Sequence, residues 1–128
     1  MIELGAKGRQ ELIVTDELTA DKAGSGLLPV FSTPSMIALI ENTAWKSIED
    51  KLEHGQGSVG TKLEISHIAA TPLGMKVWCE TELIEIDRKR LVFRADVFDE
   101  KEKIGGGIHE RFIIENEKFF QKVAAKNQ

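Results

Sequence analysis

Hydrophobic and polar positions along the chain change rhythm once, near residue 55. Before it, from Thr33 to about Leu52, apolar residues recur at three- and four-residue spacing, the mark of a helix. With Ile37 set at zero on a helical wheel, Ile40, Ala44, Ile48 and Leu52 fall within about 60° of it. Glu41 falls about 40° away, inside the same arc, so a carboxylate is expected on the apolar face. The stretch Met36 to Ile40 is apolar all round, which predicts burial on every side, whereas Lys46, Glu49 and Asp50 give the second half one wet face. Thr33 followed by Pro34 predicts the start, with Thr33 as N-cap and Pro34 in the first turn. "HGQG" (54–57) ends the helix.

After residue 57 the period is two. In "SVGTKLEISHIA" Val59, Leu63, Ile65 and His67 are assigned to an inward face, and Lys62, Glu64 and Ser66 to the outward one. "TPLG" (71–74) is a turn. "MKVWCETELIEI", "RLVFRADVFDE" and "KIGGGIHERFIIE" are three further strands, joined by the short charged links "DRK" and "DEKEK". Upstream, "ELIVTDELTA" (11–20) starts as a strand and "DKAGSGLLPV" (21–30) reads as a mobile loop. "NEKFFQKVAAKNQ" closes the chain as a short polar helix or tail. A strand, a loop, a long helix and a four-strand meander make an α+β domain over 1–128: one antiparallel sheet wrapped around one central helix.

Composition narrows the function. The chain has 128 residues and a net charge of −4, which argues against nucleic acid or an anionic membrane as partner. Arg88-Lys89-Arg90, the one dense basic cluster, falls in a hairpin turn. Cys79 is the sole cysteine, so no intrachain disulfide forms, and a reducing, cytoplasmic setting fits. The start "MIELGAKGRQE" has no signal-peptide core, and no apolar run reaches the roughly 18 residues that span a bilayer. His54, His67 and His109 stand apart with no metal-ligand spacing, and no nucleotide-binding motif is present, so no metal or cofactor is expected.

Glu41 and His67 are therefore the chemistry to explain. Both are expected on surfaces that face one another, where they can satisfy each other's hydrogen bonds and move protons. Thr33 sits where a helix N-terminus presents unpaired N–H groups to a developing oxyanion. Gly60 offers a backbone N–H with no side chain in the way. Three glycines, Gly105 to Gly107, are unusual in a strand and indicate a bulge, or close approach of a ligand or second chain. His109 and Arg111 share one face and Glu110 the other, as a cross-strand ion pair requires.

The words "VFSTPSMIALIE", "VGTKLEISHIAATPLG" and "IGGGIHERFIIENEKF" resemble the hot-dog thioesterases, and within them the fluoroacetyl-CoA thioesterase-like branch. The resemblance implies hydrolysis of small acyl-CoA thioesters without a metal. It matches Thr33, Glu41 and His67 to a catalytic triad, Gly60 to a glycine that orients the thioester carbonyl, and Arg111 to an arginine that supports the pocket. Glu41 would act as nucleophile, through a mixed anhydride, or as base for water. Fluoroacetyl-specialised members carry aromatic lid residues over the pocket, whereas here nothing from Met1 to Val30 is aromatic, so fluorine selectivity is not expected. A hot-dog enoyl-CoA hydratase and a non-catalytic acyl-CoA sensing module are the alternatives. Thr33 and Glu41 are separated by about 12 Å of helical rise. A homodimer with shared sites is therefore expected, with Thr33 of one chain against Glu41 of the other and His67 on the Glu41 side.

Overall fold

The computed structural model describes Met1–Gln128. Five strands, β1 (Lys7–Ile13), β2 (Gln56–His67), β3 (Lys76–Asp87), β4 (Arg90–Asp99) and β5 (Lys103–Glu115), form one sheet in the order β1-β3-β4-β5-β2. Every neighbouring pair is antiparallel. The period of two is visible in burial: Val77, Cys79, Thr81 and Leu83 of β3 point inward, as do Leu91, Phe93, Ala95 and Val97 of β4. The long helix, α2 (Thr33–Ile48), lies on that inner face, where Met36 and Ile40 meet Val77 and Val97 while Ala44 and Ile48 meet Leu83 and Phe93. This is the expected sheet wrapped around one helix.

Several boundaries differ from expectation. β1 begins at Lys7 and ends at Ile13, because its alternating residues run as an edge strand along β3 from Glu82 to Lys76. The following stretch holds a short 3₁₀ turn, Asp16–Leu18, and a single helical turn, α1 (Ala20–Ala23), closed by Gly24 at φ 78°. The predicted loop therefore begins as a helix. The C-terminal segment forms α3 (Asn116–Ala124).

The N-cap of α2 is Ser32, not Thr33. Ser32 Oγ accepts from the Ser35 amide at 3.1 Å, which moves Thr33 into the first helical position. The buried arc of α2 also lies elsewhere than predicted. Met36, Leu39, Ile40, Thr43, Ala44 and Ile48 are buried, which centres the arc about 75° from Ile37. Ile37 is only half-buried and Ala38 is exposed, so Met36 to Ile40 is not covered on all sides. Glu41 lies on this open flank, its side chain 39% exposed. The flank looks past β2, an edge strand whose residues 60–64 are exposed.

The three glycines of β5 answer to the chain itself. A Cβ on Gly105 would run into the Ser66 carbonyl and Met36, one on Gly106 into the Ala95 carbonyl, and one on Gly107 into the Glu64 carbonyl. Strands β2 and β4 close on β5 from both sides here, and neither a ligand nor a second chain is needed to explain them.

Candidate active site

A bulge in β2 decides which side chains face the helix. Register slips between Gly60 and Lys62, leaving Thr61 without a partner in the ladder. Beyond the bulge Leu63, Ile65 and His67 face inward as predicted. Before it the phase reverses. Val59 pairs with Phe112 on the outer face, while Ser58 and Gly60 turn toward α2. The inward placement of Val59 is thus corrected, and the bulge is what aims Gly60 at the site.

Two clusters result. In the first, Thr33, freed from capping, sets its Oγ1 2.8 Å from His67 Nδ1. His67 is the last residue of β2, with the Phe31 ring edge-on at 6.4 Å. Its Nε2 is buried and has no hydrogen-bond partner. Burial pushes the imidazole pKa below 6.5, partly offset by the Ala69 backbone, so the ring is neutral at pH 7. Thr33, His67, Phe31 and Ser25 line an open cleft of about 280 Å³ at the N-terminus of α2.

The second cluster surrounds Glu41. Its Oε2 stands 3.6 Å from Arg111 Nη1, and a Cβ at Gly60 would lie 2.5 Å from the same oxygen. Arg111 is 6% exposed and is fixed by Ser58, with Nε donating to Ser58 Oγ at 2.8 Å and Nη2 to the Ser58 carbonyl at 3.0 Å. Burial lowers the Arg111 pKa and the Glu41 carboxylate opposes that shift. Arg111 therefore pairs with the helix rather than across strands. The cross-strand pair belongs instead to Glu110 and Arg90, at 2.9 Å on the outer face.

The expected Glu41–His67 hydrogen bond is absent. His67 is held by Thr33 and Glu41 by Arg111, so His67 belongs with Thr33 and not on the Glu41 side. Within one chain the two clusters stay apart, because eight helical residues separate Thr33 from Glu41 by about 12 Å of rise. Ser58 and His109 were missed as site residues. The pairing of His109 with Arg111 on one face was the available signal for the histidine. Ser58 was hidden by the bulge.

Comparison with known proteins gives the family and the fold. A family model described as fluoroacetyl-CoA-specific thioesterase matches residues 14–117. The fluoroacetyl-CoA thioesterase of Streptantibioticus cattleyicolor is 40% identical over 97 residues, covering 76% of this chain and 70% of the relative. A solved fluoroacetyl-CoA thioesterase superposes with a TM-score of 0.93 at 32% identity, covering 98% of both chains. A mutant of the fluoroacetyl-CoA-specific enzyme in complex with fluoroacetate and CoA gives 0.87 at 31% identity, over 92% of this chain and 99% of that one.

Proposed function

The chain belongs to the fluoroacetyl-CoA-specific thioesterase family, and from that premise we propose that it hydrolyses a small acyl-CoA thioester in a site that two copies complete. The fold is the hot-dog fold, and the reaction releases a free acid and CoA. We read residues 1–128 as one such domain. The observation that carries the mechanism is the Glu41 carboxylate, set on an open flank against Gly60 and kept 3.6 Å from its only cation. A carboxylate retained for structure alone would close on Arg111 at roughly 2.7–2.9 Å. Glu41 instead stays free to meet an acyl carbon, by direct attack or through water.

In this reading Thr33, Glu41 and His67 are the catalytic residues. The α2 N-terminus and the Gly60 amide hold the carbonyl oxygen as charge develops on it, each donor being worth about 2.7–4 kcal/mol of barrier. His67, neutral through burial, takes up the proton that the attacking water releases and hands it to the leaving thiolate, and Thr33 orients its ring. Arg111 fixes Glu41. A second copy across the open flank of α2 and the β2 edge brings Thr33 and His67 of one chain to Glu41 of the other, at both ends of a two-fold. The exposed Ala38 and the uncovered residues 60–64 support such a homodimer. No helix is long and apolar enough to cross a membrane. The single cysteine is our ground for a cytoplasmic assignment.

Substrate choice follows from the cleft loop. It contributes Ala20, Ser25 and Val30, while Leu27 and Leu28 are 94% and 66% exposed and reach no partner. Nothing aromatic closes over the acyl group from this loop, so fluoroacetyl-CoA and acetyl-CoA should be turned over with kcat/KM values within about 10³-fold of one another, a gap of roughly 4 kcal/mol. The test is free-thiol release from a panel of short acyl-CoAs by the wild-type protein and Glu41→Gln. Wild-type release, reduced at least about 10²-fold in folded Glu41→Gln, is expected. A panel with no thiol release, or an undiminished Glu41→Gln, overturns the reading.

A further inference from the structure

The mechanism leaves a fully buried imidazole without a role. His109 of β5 packs against Phe93, whose ring centroid is 6.3 Å away and 28° from parallel. Its Nδ1 stands 2.9 Å from the Lys62 carbonyl oxygen, and its Nε2 stands 3.1 Å from Arg111 Nη1. A guanidinium nitrogen only donates and a carbonyl only accepts. The ring proton is therefore on Nδ1, donated to Lys62, and Nε2 presents its lone pair to Arg111. Both ring nitrogens are engaged, so the imidazole cannot turn. Burial together with the neighbouring guanidinium opposes its protonation.

Arg111 is divided among three partners. Nε and Nη2 go to Ser58. Nη1 donates one N–H to His109, which leaves its approach to Glu41 at 3.6 Å, an ion pair too long for a hydrogen bond. Without the His109 lone pair Nε and Nη2 still hold Ser58, but Glu41 becomes the one acceptor left for Nη1. The guanidinium would then close on the carboxylate, to the roughly 2.7–2.9 Å of a charge-assisted bond, and occupy the oxygen that must react.

We propose that His109 is a positioning residue: it holds Arg111 Nη1 away from Glu41, so that the carboxylate is oriented yet free to act. The inference rests on Glu41 being the acting carboxylate. Two neutral, polar substitutions separate the two ring nitrogens. The amide oxygen of His109→Gln reaches the Nε2 position and keeps an acceptor for Arg111. His109→Asn keeps a donor for Lys62 and loses that acceptor.

The expected result is a kcat within about threefold of wild type for His109→Gln and reduced about tenfold or more for His109→Asn, with KM changed less than about threefold in both. In an Arg111→Met background His109→Asn should add no further loss, because the partner through which it acts is gone. If His109→Asn does not fold, His109→Leu replaces it with the same expectation. Wild-type kcat in His109→Asn, an equal fall in His109→Gln, or an undiminished effect without Arg111 overturns the proposal. Glu41→Gln is assayed alongside. If it is inactive while His109→Asn is unaffected, only the role of His109 fails; if Glu41→Gln is active, the reading of Glu41 fails, and the proposal with it.

Discussion

Gly60→Ala isolates the geometry of the Glu41 cluster with a single methyl group. Gly60 is not among the glycines with positive φ, so alanine can adopt its backbone. The added Cβ would lie 2.5 Å from Glu41 Oε2, against the 3.4 Å at which ordinary contact begins, and the carboxylate must retreat about 0.9 Å. His109 Cε1 at 3.3 Å and Arg111 Nη1 at 3.4 Å close the two nearest alternatives, so the carboxylate moves outward, toward the exposed flank. That movement is inexpensive for folding, because the Glu41 side chain is already 39% exposed. Alanine also restricts the unfolded chain, which stabilises by about 0.4–1 kcal/mol and offsets the crowding. Catalysis has no such latitude. A misplacement of about 1 Å costs around 10²-fold, or about 2.7 kcal/mol of barrier. Steady-state thiol release should show kcat down about 10²-fold, with KM nearly unchanged and a thermal midpoint within a few degrees of wild type. A folded Gly60→Ala with kcat within threefold of wild type would refute the placement of Glu41 as the acting group.

Two further outcomes are expected. Burial holds the His67 pKa below 6.5, so its neutral form persists as pH falls and kcat/KM should decline only below about pH 6.5; an acid limb centred above 6.5 contradicts a neutral, catalytic His67. Asp99 is 4% exposed and accepts from Thr71 Oγ1 at 2.7 Å and from the Lys101 and Glu102 amides at 2.8 and 3.0 Å, so Asp99→Ala should cost about 2–4 kcal/mol in urea unfolding, with a loss under about 0.5 kcal/mol contradicting the assignment.

The architecture was legible because each element keeps one period over many residues. The change from helical spacing at Thr33–Leu52 to alternation after residue 57 is enough to order one helix and four strands. Phase was less legible than period. An alternation count passes through Thr61 without registering the bulge, so Val59 was assigned to the wrong face and Ser58 went unnoticed. The helical wheel placed α2 but carried it about one turn too far, to Leu52 where the helix ends at Ile48, and gave it the wrong centre, since Ile37 and Glu41 lie on a flank the sheet does not cover. Ser32 and Thr33 are both good caps, and only the Ser35 amide chooses between them. Glu41 and His67 were each singled out, yet their partners depend on contacts across the fold. Arg111 reaches Glu41 only because β5 carries it inward beside Gly60, and Thr33 reaches His67 only because Ser32 does the capping.

The site shared between two chains is the central claim, and subunit mixing tests it most directly. His67→Ala and Glu41→Ala, each nearly inactive alone, are unfolded, combined in equal amounts and refolded together. If His67 of one chain serves Glu41 of the other, every mixed dimer carries one doubly damaged site and one intact site. Random assortment then returns about a quarter of wild-type activity. If each site is built within one chain, every site keeps one lesion. An absence of recovered activity, with mixed dimers demonstrated by native mass spectrometry, would contradict the account.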